Sequence, residues 1–457
     1  MTTVEDHLGR GFDGYVADLV ALCAIPSVST DPAFAADVRR AAAALAARMT
    51  AAGFPLVEEI ETGGHPAIYA EWPGPPGAPT VLVYGHYDVQ PPDPLDRWIT
   101  PPFEPTIRDG RLYARGASDD KGSMLIPVFV AEAFGAVAGG PPVTIKMLVE
   151  GEEETGSPHF EPTVARLRDR LACDVVISAD GAMWRSDLPS VTVASRGLVA
   201  LEVMVRGAGK DLHSGRHGGS APNPIRALAR MLATLHDEDG RCIVPGFADN
   251  LPPPDPAIAE AIRSVEFDPG AYFDEIGARR PEPLPSAETL LTRQWLVPTL
   301  EFNGISGGYA GEGSKTVIPA EARVKITCRL VAGQEPMAVA EAIRTHLEAV
   351  TPSGCTLDVE VHGPGTPAFS VDPALPALAL AEDVLEELLG RRPLRVAMGA
   401  TVPVGEVLSR HLGVGTVFFS FSTSDEDYHA PNEFYRLSSL RTGLTAWARL
   451  LQRLGDK

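Results

Sequence analysis

Five stretches of this 457-residue chain bring imidazole and carboxylate groups together. The first is Gly85-His86-Tyr87-Asp88-Val89, directly after the apolar run Val81-Leu-Val-Tyr84. In an extended segment His86 and Asp88 project to the same side. Imidazole is a good ligand for zinc-like ions, and a nearby carboxylate can hold its ring in one tautomer. The same pair would also serve as a strand-capping His and a turn Asp. The second is Arg115-Gly-Ala-Ser-Asp119-Asp120-Lys121-Gly122, where one carboxylate can enter a site while its neighbour supports it, or both can cap a helix. The third is Glu150-Gly151-Glu152-Glu153-Glu154, after the apolar run 143–149. Four carboxylates so close repel one another unless a cation or solvent compensates. Asp180 follows the run 174–178, and His429 lies beyond the run 414–420. Together the five place His, Asp, Glu, Asp and His around the carboxyl ends of strands. Nitrogen and oxygen donors without thiolate suit zinc, manganese or cobalt, and two such ions need a shared carboxylate.

The elements that must position these groups follow from periodicity. Helices are expected over 13–23, 35–52, 121–135 and 160–171, and strands over 81–84, 143–149 and 174–178. Alternation of the two over 30–195 indicates an α/β sheet with helices on its faces. Near residue 197 the style changes. Residues 198–206, 322–330 and 356–362 alternate like half-exposed strands, with helices at 224–235 and 337–350. Residues 245–290 are rich in Pro, Asp and Glu and read as a surface excursion. A helix near 373–389 and an apolar strand at 414–420 return to the first style. The expected architecture is a two-domain α/β protein. A zinc-peptidase-like catalytic domain with a mainly parallel sheet (residues 1–196 and 365–457) is interrupted by an inserted α+β lid and dimerisation domain (197–364).

Composition narrows the function. Hydrophobic residues make up 44% and charged residues 22%, an ordinary globular mix with enough apolar content for a large core. Asp and Glu number 60 against 39 Lys and Arg, a formal charge of −21 that repels phosphate backbones and anionic lipids. Neither nucleic acid nor a membrane surface is an expected partner. The five cysteines are odd in number and widely spaced, with no Cys-x-x-Cys, which fits a reducing compartment. The first residues lack the basic and apolar regions of a secretory signal, and the apolar stretch 124–138 is interrupted by Pro127 and Glu132. A soluble cytoplasmic protein is expected.

These motifs resemble the M20 family of metallopeptidases, most closely its carnosinase-like cytosolic dipeptidase branch. The resemblance rests on Gly85-His-Tyr-Asp-Val-Gln-Pro91, Ser118-Asp-Asp-Lys-Gly122, Glu150-Gly-Glu-Glu-Glu-Thr-Gly-Ser157, Ile177-Ser-Ala-Asp180, Lys210-Asp-Leu-His-Ser-Gly215 and His429-Ala-Pro-Asn-Glu433, in the family's order over about residues 15–450. It implies two divalent ions, zinc first and manganese or cobalt as alternatives. His86 and Asp180 would hold one, His429 and Glu154 the other, and Asp119 would bridge both. Asp88 would orient His86. Glu153 would be the general base, acting on a metal-bridging water and then protonating the leaving amine. Residue chemistry alone does not choose among Glu152, Glu153 and Glu154. His213 would reach the active site of a second subunit and stabilise the oxyanion, implying a homodimer through the inserted domain. Arg329 would bind the C-terminal carboxylate of a small peptide substrate, with Asn303, Gly399 and Thr401 on the substrate side.

One stretch departs from the pattern. The related dipeptidases carry Arg-Glu-Gly-Gly-Ser-Ile-Pro where this chain has Ala397-Met-Gly-Ala-Thr-Val-Pro403. Gly399 and Thr401 keep the backbone and hydroxyl roles, while Ala397 replaces the Arg and Ala400 the second Gly. Gly304-Ile-Ser306-Gly-Gly308 matches the nucleophile pattern of serine hydrolases, but a nucleophile elbow needs a strand before it and a helix after it, and a flexible loop follows here. The expected activity is hydrolysis of the amide bond of dipeptides or similar small peptides. An N-acyl-amino-acid deacylase or a carboxypeptidase would use the same metal centre.

Overall fold

The apolar runs at 81–84, 143–149, 174–178 and 414–420 form the parallel part of one six-stranded sheet in the computed structural model, which describes residues 2–249, 251–399 and 403–456. Across the sheet the strands are Leu56–Ile60, Ala67–Trp72, Thr144–Glu150, Thr80–His86, Val175–Ser178 and Thr416–Phe418. The last four are mutually parallel, and the first two add an antiparallel edge that the sequence reading passed over. Thr80–His86 has its successor Thr144–Glu150 on one side and the later Val175–Ser178 on the other. The chain therefore reverses its winding direction there, and a crevice opens at the carboxyl ends of such strands.

This sheet belongs to a unit built from Met1–Val193, Val371–Val396 and Val407–Lys457. Helix Val4–Cys23 starts earlier than periodicity suggested, because Thr3 and Asp6 form a capping box at its first turn. Helix Gly122–Ala138 runs through Pro127, which costs one backbone hydrogen bond, and twelve of its residues from Gly122 to Phe134 are buried. The stretch 117–138 is long and apolar enough to cross a membrane, but 72% of its most apolar window is buried inside the fold, as a core helix requires. Helices Val4–Cys23 and Leu437–Gly455 pack against it.

The second unit comprises Ala194–Ser370 and Ala397–Glu406. Its antiparallel sheet has the order Thr299–Gly307, Glu321–Leu330, Gly197–Arg206, Thr356–Thr366. Gly197–Arg206 buries every second residue, and Val199, Leu201, Val203 and Val205 join the core with Leu228 and Met231 of helix Pro224–Leu232 and Ile343 and Leu347 of helix Pro336–Val350. One expectation fails here, while the rejection of Ser306 as a nucleophile holds. Residues 245–290 are not a plain excursion: they hold helices Pro256–Ser264 and Pro269–Glu275 and lead into Ala287–Trp295. Asp255, Asp268 and Ser286 cap them, and Pro stands in the first turn of the first two. Gly304–Gly307 lies in an edge strand with Ser306 opposite Arg323, so Ser306 sits on no elbow.

In the first unit the turn that carries Asp119 hangs on one buried carboxylate. Glu433 is fully buried and accepts hydrogen bonds from Arg115 Nη1 (2.8 Å) and from the backbone N–H groups of Gly116 (2.9 Å), Ser118 (2.9 Å) and Asp119 (3.2 Å). Glu426, also buried, accepts from Ser118 Oγ (2.7 Å) and from the N–H groups of Thr423 and Arg436 (both 3.1 Å). Both acids lie in the segment that carries His429, so the His429 loop and the Asp119 turn are fastened together. Removing one member of a buried ion pair leaves an uncompensated charge, which typically costs 3–5 kcal/mol. Glu433→Ala should therefore lower unfolding free energy in urea by about 3–5 kcal/mol, and adding Arg115→Met should recover part of that loss. A loss under about 1 kcal/mol, no more than an ordinary surface change, would show that Glu433 does not hold the turn.

Candidate metal centre

His86 is the last residue of its strand, and Glu153 and Glu154 form a short turn three residues beyond Glu150. Asp180 stands two residues past Ser178, and Asp119 comes from the turn before Gly122. Gly85 allows the close approach: a Cβ there would lie 2.7 Å from Met124 Cγ and 2.8 Å from Asp120 Oδ2. Asp120 is buried and accepts from the His86 backbone N–H at 3.4 Å, so of the two adjacent acids Asp119 faces the site and Asp120 supports it. Neither caps the helix.

Asp119 sits between two imidazoles. Its Oδ1 lies 3.0 Å from His86 Nε2, and its Oδ2 lies 3.0 Å from His429 Nε2. His429 Nε2 is also 3.2 Å from Glu154 Oε2. Three sets of donor atoms each fall within 4.8 Å of one another: His86, Asp119 and Asp180; His86, Glu153 and Glu154; and Asp119, Glu154 and His429. Asp88 lies behind His86, with its carboxylate 3.4 Å and its carbonyl oxygen 3.1 Å from Nδ1. That carboxylate also accepts from Ser29 Oγ (2.6 Å) and from the backbone N–H groups of Glu153 (3.3 Å) and Glu154 (3.1 Å). One buried acid thus orients the imidazole and fixes the Glu153–Glu154 turn.

The acidic run separates into roles. Glu150 accepts from Tyr84 OH (2.7 Å) and Ser157 Oγ (3.0 Å), and Glu152 pairs with His159 Nδ1 (2.9 Å). Glu153 and Glu154 remain for the site, which removes Glu152 from the three that sequence left open.

The electrostatics record the crowding. Burial lowers the proton affinity of His86, but its hydrogen bonds to Asp119 and Asp88 outweigh this and hold the imidazolium far above its usual range. Hydrogen bonds to Asp119 and Glu154 push His429 up to about 10. Asp119 sits well below the carboxylate range: burial opposes this, but hydrogen bonds from both imidazoles prevail. Burial pushes Asp180 up to about 6 and raises Glu153 and Glu154, with neighbouring carboxylates adding to the rise. Four carboxylates around two imidazoles leave a negative excess in a partly dry place, and protons on the imidazoles compensate some of it. A divalent cation would do so more fully. The donors are nitrogen and oxygen only, three to a set, as zinc, manganese or cobalt prefers. The residues present fit such ions.

The remaining expected site residues lie in the second unit. His213 is exposed at the start of a short helical turn, where its Nδ1 accepts the Gly215 N–H at 3.1 Å. Arg329 is half-buried on Glu321–Leu330, opposite Thr299 and Leu198. Asn303 is exposed at a bulge in the edge strand. The Gly399 carbonyl accepts from Arg196 Nε at 2.9 Å. Thr401 lies outside the described residues. Glu433, Glu426, Arg115 and Ser29 were not singled out from sequence. Glu433 ends a quoted motif, but nothing in the residue types marks it as a partner for a turn more than 300 positions away.

The Peptidase family M20/M25/M40 model matches residues 82–453. The chain is 30% identical over 377 residues to the Beta-Ala-His dipeptidase of Mus musculus, covering 80% of this chain and 75% of that protein. It is similar in structure to the di-peptidase Dug1p of Saccharomyces cerevisiae, with a TM-score of 0.84 and 25% identity over 99% of this chain and 98% of that one. It is also similar to the metallo-carboxypeptidase Sso-CP2 of Sulfolobus solfataricus, with a TM-score of 0.86 and 27% identity over 97% and 99% of the two chains. Strand-end imidazoles and carboxylates, a six-stranded sheet and a family match over most of the length converge, and the chain belongs to peptidase family M20/M25/M40.

Proposed function

We propose that this chain is a two-metal dipeptidase, a metal-dependent hydrolase of dipeptides and similar small peptides. One observation carries the reading: the two oxygens of Asp119 face two different imidazoles, each with a further carboxylate beside it. A carboxylate so placed is the natural shared ligand of a cation pair. His86 and Asp180 would hold one ion, His429 and Glu154 the other, and Asp119 both, with Asp88 orienting His86. The ions, zinc first and manganese or cobalt as alternatives, would supply Lewis-acid polarisation of the scissile carbonyl and a sink for oxyanion charge.

Glu153 is the general base. It takes a proton from the attacking water and passes it to the leaving amine. Burial and the charges of Asp180, Glu154 and Asp119 raise its proton affinity, which suits a carboxylate that must both accept and release a proton. The second unit is a lid and dimerisation domain. Its Arg329 binds the substrate's C-terminal carboxylate through a guanidinium fork, and Asn303, Gly399 and Thr401 are assigned to the substrate side. His213 serves the site of a second subunit in a homodimer. With Nδ1 accepting from Gly215, the neutral ring carries its proton on exposed Nε2, a donor of the kind an oxyanion needs. Dipeptides are favoured because the mouse and yeast relatives are named for them. The likeness to Sso-CP2 favours carboxypeptidase action as the second reading, and N-acyl-amino-acid deacylation would use the same centre. The cytoplasm suits five cysteines that are all unpaired.

Glu153→Gln should keep both ions by metal analysis and lose about 10²–10⁴-fold in kcat on a dipeptide. Unchanged kcat would move the base to another carboxylate. His213→Ala should impair turnover, and a mixed dimer of His213→Ala with Glu153→Gln subunits should recover part of it, since one of its two sites has both residues intact. A mixed dimer no better than either parent would count against a His donated across the interface. A hydrolysis panel with a chelator control sorts the substrates. Chelator-sensitive cleavage confined to unblocked dipeptides fits the proposal, and cleavage of acyl-blocked dipeptides or N-acyl amino acids would move the chain to carboxypeptidase or deacylase action.

A further inference from the structure

Gln90 is two residues past Asp88, and the chemistry above leaves it unused. Its Nε2 lies 2.8 Å from Glu154 Oε2 and 3.3 Å from the Glu154 backbone carbonyl. Both partners are acceptors, so only the NH2 end of the amide can face them, with one hydrogen for each. The grip therefore spans the main chain and the side-chain tip of one residue, and it fixes the torsions between them. The Glu154 oxygen it takes is the one facing His429 Nε2 at 3.2 Å.

Gln90 is itself held on both sides. The Val89 N–H donates to Ser27 O at 2.9 Å, and Val89 is fully buried. The Pro91 carbonyl accepts from Arg115 Nη2 at 3.2 Å. The two candidate ion positions differ in support. His86 is completely buried and backed by Asp88, whereas the His429 side chain is 51% exposed. At the exposed position the firm partner is Glu154, whose side chain is only 3% exposed.

We propose that Gln90 is a positioning residue for the second cation: by holding Glu154 from main chain to carboxylate, it presents Oε2 beside His429 and Asp119 and sets the affinity of that position alone. The assignment rests on the two-cation reading above. Loss of a hydrogen-bonding partner behind a metal ligand typically costs about 10–100-fold in metal affinity. Gln90→Met removes the donors at similar length. Gln90→Leu also removes the donors, with a shorter branched side chain, and adds no charge.

The test is Mn2+ titration of the metal-free protein, with free Mn2+ read by electron paramagnetic resonance, for wild type and both variants. Wild type should take up two ions per chain. Both variants should bind the weaker ion about 10–100-fold less tightly and the tighter ion as wild type does, with an unchanged melting temperature for the metal-free protein. Activity on a dipeptide should return as Mn2+ is raised, since the variants lack occupancy and not chemistry. Two ions in wild type with neither affinity altered in the variants would overturn the role of Gln90 alone. An equal fall in both affinities would also overturn it, because the effect would then be general to the site. A single ion in wild type would overturn the two-cation reading and this assignment with it.

Discussion

Asp119, Glu153, Glu154 and Asp180 crowd two imidazoles at the edge of a buried sheet, and this concentration of like charge is what the surrounding structure has to manage. Coulomb repulsion grows as water is removed, and burial itself resists ionisation. Without a cation the compensation comes from protons. His86 and His429 hold theirs far above the usual imidazole range, and Asp180 is pushed up to about 6. Metal ligands must give up such protons before they bind. Protons and divalent ions therefore compete for one charge deficit, and a site that retains protons this strongly is one that a cation can stabilise.

Such a cluster holds its shape only on stiff supports. The parallel strands supply most of them, because their carboxyl ends lie along one edge: Thr80–His86 ends on a donor, and Thr144–Glu150 and Val175–Ser178 end three and two residues before one. Buried carboxylates that never face the site supply the rest. Glu433 gathers three backbone N–H groups and a guanidinium around the Asp119 turn, and Asp88 gathers Ser29 and the Glu153–Glu154 turn behind His86. Charge-assisted hydrogen bonds from main-chain donors are short and directional, so they fix backbone position and not only side-chain rotamer.

His86, Glu153, Glu154 and Asp180 were legible in sequence because each is a polar residue just past an apolar run, while Asp119 and His429 were marked by the motifs they share with the family. The choice between Asp119 and Asp120, and between Glu152 and its neighbours, was not legible in residue chemistry and came only from the family resemblance. Adjacent residues diverge, and only the turn geometry says which way each one goes. The supports were hidden for a different reason: Glu433 meets Arg115 across more than 300 residues, and no local pattern encodes that meeting. The helices within 245–290 were legible and passed over. Asp255-Pro256 and Asp268-Pro269 are N-cap and first-turn pairs, but the high Pro and acid content masked them as loop. The edge strand at 299–307 was hidden because all but Thr299 and Leu300 are exposed, so no alternation marks it.

The proposed metal donors all come from one unit, and the proposed substrate-side residues Arg329 and Gly399 come from the other, as does the proposed oxyanion donor His213. The departure from the dipeptidase pattern falls in the second group. By the resemblance, Ala397 takes the place of an Arg in the dipeptidase pattern, and it is only 4% exposed, so a small apolar side chain is packed where a long cation would need room and a partner. Two residues on, the Gly399 carbonyl is fixed by Arg196, and a Cβ at Gly399 would come within 3.2 Å of the Gln294 carbonyl oxygen. The backbone at Gly399 is therefore held by Arg196 and leaves little room for a side chain. The departure from the pattern thus falls among the proposed substrate-side residues and not among the proposed metal donors, and one metal centre can serve different amides when the residues around it change.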